Sequence, residues 1–295
     1  MKHRKISFNE YFQDIYQERW DSIKESFDMV QTRVIRPTFS DEEVSYKDFE
    51  KYDADLKHVL AETNSEGKKT SYIMDLASIL SANSLDIQPD DFVLDMCAAP
   101  GGKSLILLEK LKTGKLWANE MSPARRAKLK SVLKEYVPQD KLPNVEIKGK
   151  DGIKYGLMYP EQFDKILVDA PCSGEKHMFH SPKELKTWNI KRTQRLAGIQ
   201  YGLLCSALLS IKPKGQILYS TCSISPLEND GVIEKILSKK SKYLELDLPE
   251  VDYPGVERTK FGFMMLPDKS GIGPIYFSRL KKKSSTSSNV TNESL

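Results

Sequence analysis

No hydrophobic run in this chain approaches the roughly 20 residues that crossing a bilayer requires, so a membrane-spanning helix is excluded. The opening stretch, MKHRKISFNEYFQDIYQERW, lacks the apolar segment of a secretory signal. Glu10, Asp14 and Glu18 follow its basic start too closely for a mitochondrial transit peptide, and the expected compartment is the cytoplasm. Cysteine is scarce. Four are present, none in a Cys-x-x-Cys pair, and without an export signal they are expected to be reduced thiols. The four histidines are scattered, which removes the usual zinc-ligand spacings. A strong excess of one charge is missing too. The 45 basic and 41 acidic residues leave +4, too little to declare a nucleic-acid ligand without a local patch. No segment repeats.

What is present is enough apolar material, 39% of 295 residues, for one large domain, or one plus a small extension. Phe8, Tyr11, Phe12, Ile15, Tyr16, Ile23 and Phe27 recur at helical spacing, which predicts an amphipathic helix packed on the main domain. Residues 36–70 are polar and irregular, and SYIMDLASILSANSL reads as a second helix. From Phe92 the rhythm changes. FVLDM, KLWANE, VEIKG, FDKILVDA and GQILYSTC are short apolar runs separated by helical stretches such as SLILLEKLK and PARRAKLKSVLKEYV. Strands alternating with helices predict βαβ units around a parallel sheet covered on both faces. FGFMMLP and GPIYFSRL read as a closing pair of strands. The expected division is a helical extension over residues 1–70, an α/β domain over 71–281 and a disordered low-complexity tail over 282–295.

Ligands of open α/β sheets bind beyond the carboxyl ends of the strands, and here those ends carry the chemistry. After FVLDM comes CAAPGGKS, where Gly101 and Gly102 let backbone approach a ligand and the helix behind them favours its negative groups. By itself such a loop is equally a tight turn. Glu120, beyond the second strand, has the spacing of an acid that accepts hydrogen bonds from ribose hydroxyls. Asp151 and Gly152, beyond the third, are placed to meet an adenine edge. Together these positions predict an adenosine-containing cofactor, with a dinucleotide and S-adenosylmethionine both open on these residues alone.

The fourth run ends in DAPC, Asp169 to Cys172, in place of the Asp/Asn-Pro-Pro-aromatic loop typical of amino-group methyltransferases. The fifth ends in Thr221 and Cys222. A thiolate added to carbon 6 of cytosine makes carbon 5 nucleophilic enough to attack a methyl donor. An acid near N3 stabilises the adduct, and a base then removes the C5 proton so that the thiol leaves. That chemistry needs a cysteine, an acid and a methyl donor in one cleft, and the strand ends supply them. Cys205, within QYGLLCSALL, reads as helix core, and Cys97 as packing beside the cofactor loop.

LDMCAAPGGKS, DAPCSG and YSTCSIS, in this order and spacing, resemble the motifs of the Sun family of RNA cytosine-C5 methyltransferases. The resemblance continues through SYIMDLASIL, NEMSPARRAKL and GIGPIYFSRL and covers about residues 70–281. It is similar in detail to the compact subgroup that includes mitochondrial members and lacks a separate RNA-binding domain. It implies a class I S-adenosylmethionine-dependent methyltransferase fold for residues 71–281: a Rossmann-like, mostly parallel seven-stranded sheet with helices on both faces and an antiparallel strand near one edge. It implies S-adenosylmethionine held by the loop Cys97, Ala98, Ala99, Pro100, Gly101, Gly102 and Lys103. Glu120 would meet the ribose with Arg125 nearby, Asp151 and Gly152 the adenine, and Asp169 would line the pocket. It further implies that Cys222 attacks the base, that Cys172 helps release the product and that Asp169 contacts the cytosine near N3. DNA cytosine methyltransferases use the Pro-Cys thiol as nucleophile, so the residues alone do not assign the two roles.

The implied substrate is structured RNA, ribosomal RNA in preference to transfer RNA, and the mitochondrion is the alternative compartment. A DNA cytosine methyltransferase and a non-catalytic RNA-binding or ribosome-assembly factor are the rival readings. After DAPCSG many members carry a glycine and an arginine, whereas this chain reads EKHMFHSP, as in the compact subgroup. His177 and His180 there suit loop packing as well as catalysis. RNA contact is expected from SPKELKTWNIKRTQRLAG, where Lys183, Lys186, Lys191, Arg192 and Arg195 surround Trp188. The cations would neutralise phosphate and the indole would stack on an unpaired base, although Trp188 suits the core equally. A protein partner could supply further RNA affinity.

Overall fold

The computed structural model describes residues 6–29, 33–40, 45, 47, 49–52 and 54–284. From residue 285 onward the expected tail lies outside the described residues. Two helices, α1 (Phe8–Tyr16) and α2 (Arg19–Asp28), stand where one amphipathic helix was expected. α1 opens with a capping box: Ser7 Oγ accepts from the Glu10 amide, and the Glu10 carboxylate accepts from the Ser7 amide at 2.8 Å. The break falls at Gln17, whose φ of 52° cannot continue a right-handed helix. The apolar spacing survives the break, because Phe8, Phe12, Trp20, Ile23 and Phe27 are all buried in one cluster with Trp188.

β1 (Arg33–Pro37), β2 (Glu50–Lys51) and β3 (Ser71–Asp75) form a small antiparallel sheet in the order β2-β1-β3. This corrects two expectations. Residues 1–70 hold strands as well as helices, and the start of the expected second helix is a strand. Tyr72 and Ile73 pair with Arg36 and Ile35 in a half-buried ladder that suits aromatic and β-branched side chains. The ladder joins residues on either side of position 70. Helix α3 (Leu76–Asn83) begins only where Asp75 caps it, accepting from the Ala77 amide at 2.7 Å.

The main sheet is built on β4 (Phe92–Asp95), β5 (Lys115–Asn119), β6 (Val145–Lys148), β7 (Phe163–Asp169) and β8 (Ile211–Thr221), all parallel, in the order β6-β5-β4-β7-β8. Against β8 runs the antiparallel β12 (Ile275–Lys282), as expected for an antiparallel strand near one edge. Among the described residues the sheet has nine strands, not seven. β11 (Phe263–Met265), within FGFMMLP, pairs with β12 as the expected closing pair, whereas β9 (Leu244–Leu246) and β10 (Val256–Arg258) extend the sheet as runs of three residues with no readable alternation. The fold is the class I methyltransferase, Rossmann-like arrangement.

Side chains alternate across the sheet. Leu94, Ile166, Val168, Ile217 and Tyr219 face a core shared with α1, α2, α9 (Ile190–Ser210) and α10 (Asp230–Lys240). Val93, Leu167 and Leu218 face the other core, with α3, α4 (Gly102–Glu109) and α5 (Pro123–Tyr136). The short helices α6 (Tyr155–Met158), α7 (Glu175–Phe179) and α8 (Pro182–Thr187) follow the carboxyl ends of β6 and β7. No described helix is long and apolar enough to cross a membrane.

Candidate active site

β7 and β8 are neighbours, with Asp169 opposite Ser220, so whatever follows each strand meets the other. Cys172 and Cys222 do: their sulfurs are 2.9 Å apart, both as free thiols, Cys222 exposed and Cys172 partly covered. The hydrogen bond shared with Cys222, and then burial, push the Cys172 thiol well up, and either sulfur can be the donor of that bond. Asp169, at the tip of β7, accepts from Ser220 Oγ at 2.7 Å and lies 2.7 Å from Lys103 Nζ. Burial alone would lower the Lys103 ammonium; the Asp169 charge and hydrogen bond outweigh it and hold the group raised and cationic. A cavity of about 530 Å³ opens beside Cys222, walled by Phe27 and Met29 of the N-terminal segment, Asp75, Lys176, His180 and Ile275.

The loop after β4 matches what a bound nucleoside needs. Gly101 has φ 125°, a conformation L side chains rarely adopt, and a Cβ on Gly102 would stand 2.8 Å from the Tyr72 ring. No side chain caps α4, which leaves its first amides for a ligand. Glu120 is buried at the end of β5. Its Oε1 accepts from the Ser122 amide at 2.8 Å; Oε2 makes no hydrogen bond, with Arg125 Nη1 3.3 Å away. Arg125 also donates to the Ala99 carbonyl at 2.7 Å and so fixes the loop Cys97–Lys103 against Glu120. Asp151 accepts from the Ile153 amide at 3.1 Å as the cap of the turn Gly152–Lys154. Gly152 packs closely, and a Cβ there would stand 2.7 Å from the tip of the Leu203 side chain. The uncapped helix end and the Glu120 oxygen that lacks a hydrogen bond fit the hydroxyl-rich nucleoside of S-adenosylmethionine.

Other expected residues sit as follows. Burial pushes the Cys97 thiol far up, as suits packing, and Cys205 lies on α9. His180 Nε2 is 3.1 Å from the Phe27 carbonyl, a packing contact, and His177 is exposed beside Glu184. Lys183 and Lys186 on α8, and Lys191 and Arg195 on α9, are exposed; Arg192 is 3.6 Å from Glu184. Trp188 is buried against the rings of Phe8 and Tyr11, so no base can stack on it.

Several site residues carried no signal in the sequence. Asn119 knots three strand ends, donating to the Met96 and Lys150 carbonyls at 3.0 Å each and accepting from the Lys150 amide at 2.9 Å. Asp95, buried beneath the cofactor loop, is pushed up to about 7 by burial, with Ser104 Oγ donating to it at 2.7 Å. Tyr16 OH donates to the Ile224 carbonyl at 2.6 Å, so the N-terminal helices brace the Cys222 loop. Glu175 and Glu228 are both buried near the Cys172 thiol. Burial, and then Glu228, push Glu175 up to about 8; burial likewise raises Glu228.

The family model for 16S rRNA methyltransferase RsmB/F matches residues 82–281, more than half of the chain. A mitochondrial tRNA (cytosine(34)-C(5))-methyltransferase of Danio rerio is 36% identical over 228 residues, 72% of this chain and 61% of that protein. The 5-cytosine rRNA methyltransferase NSUN4 of Bos taurus is 34% identical over 236 residues, 75% of this chain and 62% of that protein. The chain thus spans about three-fifths of the length of these relatives. The crystal structure of a methyltransferase homolog protein from Pyrococcus horikoshii superposes with a TM-score of 0.71 at 23% identity, covering 92% of this chain and 95% of that one, and bears out the fold. With the three motifs in place at the strand ends and the family model matched across the α/β domain, this chain belongs to the RsmB/F family of RNA cytosine-C5 methyltransferases.

Proposed function

We propose that this protein transfers a methyl group from S-adenosylmethionine to carbon 5 of cytosine in structured RNA through a covalent cysteine adduct. The observation that carries this reading is the pair of thiols, Cys172 and Cys222, 2.9 Å apart at the ends of adjacent strands and next to Asp169. Cys222 is the exposed sulfur and borders the cavity, which supports it as the nucleophile. As a thiolate it adds to carbon 6, and Asp169, hydrogen-bonding near N3, stabilises the adduct. The electron pair gained at carbon 5 makes that carbon the nucleophile of the transfer. S-adenosylmethionine, when bound, supplies an electrophilic methyl group. Gly101, Gly102, Lys103, Glu120 with Arg125, Asp151 and Asp169 would hold it. Release then requires the C5 proton to leave. Cys172 passes its thiol proton to the departing Cys222 sulfur and takes the C5 proton, while the C5–H pair closes the C5=C6 bond and the C6–S bond breaks. One proton returns to solvent.

The exposed cations Lys183, Lys186, Lys191 and Arg195, with Arg192, would hold the RNA backbone, and a protein partner would add affinity. Ribosomal RNA is the preferred substrate; transfer RNA is the second reading, favoured by the name of the relative that is 36% identical. That same name supports the mitochondrion over the cytoplasm as the compartment. The test is methyl transfer from labelled S-adenosylmethionine to RNA and to matched DNA, with the product nucleoside identified by mass spectrometry. 5-Methylcytidine in RNA alone is expected. Label confined to DNA, or on the exocyclic amine, would overturn the reading.

A further inference from the structure

The backbone ladder between β7 and β8 ends early, at the hydrogen bond from the Ala170 amide to the Ser220 carbonyl, 2.9 Å. Beyond it, among the described residues, no backbone hydrogen bond joins the two cysteine loops. The thiol spacing is therefore set by side chains. Glu228, in the turn after Cys222, accepts from the Ser173 amide at 3.0 Å and from Ser173 Oγ, gripping the residue beside Cys172. Glu175, the first residue of α7 after Cys172, accepts from Ser223 Oγ at 3.0 Å and from the Ile224 amide at 3.1 Å, gripping the residues beside Cys222. Each loop reaches across to hold the other next to its thiol. Gln200 of α9 anchors the brace, donating to Glu228 Oε2 at 2.7 Å and to the Pro171 carbonyl at 2.9 Å. Ser173, Glu175, Ser223 and Glu228 are all buried, where water does not compete and a misplaced partner is costly.

We propose that Glu228 and Glu175 are positioning residues with separate duties: Glu228 sets Cys172 for product release, and Glu175 sets Cys222 for attack on the base. The inference rests on the covalent mechanism above. Both side chains are fully buried away from the cavity's solvent; each acts through the serine that follows a thiol. Losing the Glu228 grip lets Cys172 drift while Cys222 keeps its own support, so adduct forms and persists. Losing the Glu175 grip lets Cys222 drift, so adduct forms slowly and is then released normally.

The experiment follows the RNA–protein adduct on denaturing gels, with formation and decay timed separately. Glu228→Ala is expected to raise the trapped fraction at least about tenfold over wild type with formation unchanged, the scale of one missing buried hydrogen bond. Glu175→Ala is expected to slow formation about tenfold without raising the trapped fraction. Ser173→Ala and Ser223→Ala, which remove one hydroxyl each, shift in the same two directions and cover a glutamate variant that does not fold. Glu228→Gln and Glu175→Gln keep an oxygen for the amide and a donor for the serine hydroxyl, and restore wild-type behaviour. Parallel loss of both steps in each alanine variant, or no change in either, overturns the division of duties. Cys172→Ala runs alongside. If it traps no adduct while Cys222→Ala does, the two thiol roles exchange, and methyl transfer that persists in both cysteine variants defeats the covalent mechanism itself; if it traps adduct while the glutamate variants show no split, only the positioning inference fails.

Discussion

Lys103 Nζ lies 2.7 Å from Asp169 Oδ2, and this ion pair ties the loop after β4 to the tip of β7. The lysine side chain is 11% exposed and the aspartate 33%, so the pair is shielded enough to hold its geometry. The acid proposed to meet the cytosine is thereby oriented from two sides, by Lys103 and by Ser220. Lys103→Met is expected to lower the methyl-transfer rate by about 10²–10³-fold, the scale of removing one preorganised electrostatic partner at a reacting centre. The fold is expected to survive, because Asp169 keeps Ser220 and some solvent. Single-turnover kinetics with a thermal melt check both halves, and a rate within about threefold of wild type contradicts the role.

Glu120 offers a buried oxygen with no hydrogen bond of its own. If it receives a ribose hydroxyl, Glu120→Gln weakens S-adenosylmethionine binding by about 10–100-fold, as for one charge-assisted hydrogen bond. Titration calorimetry on the purified protein reads this directly. Unchanged affinity would remove Glu120 from the cofactor site.

Stability against pH follows from two buried acids. Asp95 is pushed up from 3.8 to about 7 and Glu175 from 4.5 to about 8, in both cases chiefly by burial. Both folded values are raised above those of the unfolded chain, so between the two limits the folded state holds protons that the unfolded state has lost. Their contribution is complete below the ordinary carboxyl values and falls as pH rises through about 7 and about 8. The slope is about 1.4 kcal/mol per pH unit for each group. Glu175→Gln should flatten the fall between pH 5 and pH 8 by one such contribution, measured by denaturant unfolding at stepped pH. Parallel curves for variant and wild type would contradict it.

Neutralising Lys191, Arg192 and Arg195 together to Gln should weaken RNA binding and lower its salt dependence by about one unit of slope for each phosphate left without its cation. Affinity and slope both unchanged would move the RNA track elsewhere on the surface. Trp188→Phe is expected to leave base recognition alone, because the indole is buried against Phe8 and Tyr11.

The sequence exposed what is local and periodic. The strands β4 to β8 announced themselves as apolar runs ended by Asp, Glu, Gly or Cys, and the residues at their tips meet as the sheet order requires. What stayed hidden depends on partners distant in the chain. Ser71–Asp75 reads as helix until Arg33–Pro37 pairs with it. The brace of Glu175 and Glu228 spans 48 to 55 residues of sequence, and an isolated acid in a loop gives no sign of burial. Trp188 among lysines looks like a stacking platform; only the N-terminal helices, packed across it, make it core.

The central claim is that Cys222 bonds to the RNA and Cys172 frees it. Wild type, Cys172→Ala and Cys222→Ala, each incubated with S-adenosylmethionine and cellular RNA, would be run on a denaturing gel. A slow-migrating RNA adduct with Cys172→Ala, absent with Cys222→Ala, is the result expected. The reverse pattern would exchange the two roles, and methyl transfer to RNA that persists in both variants would contradict the thiol mechanism altogether.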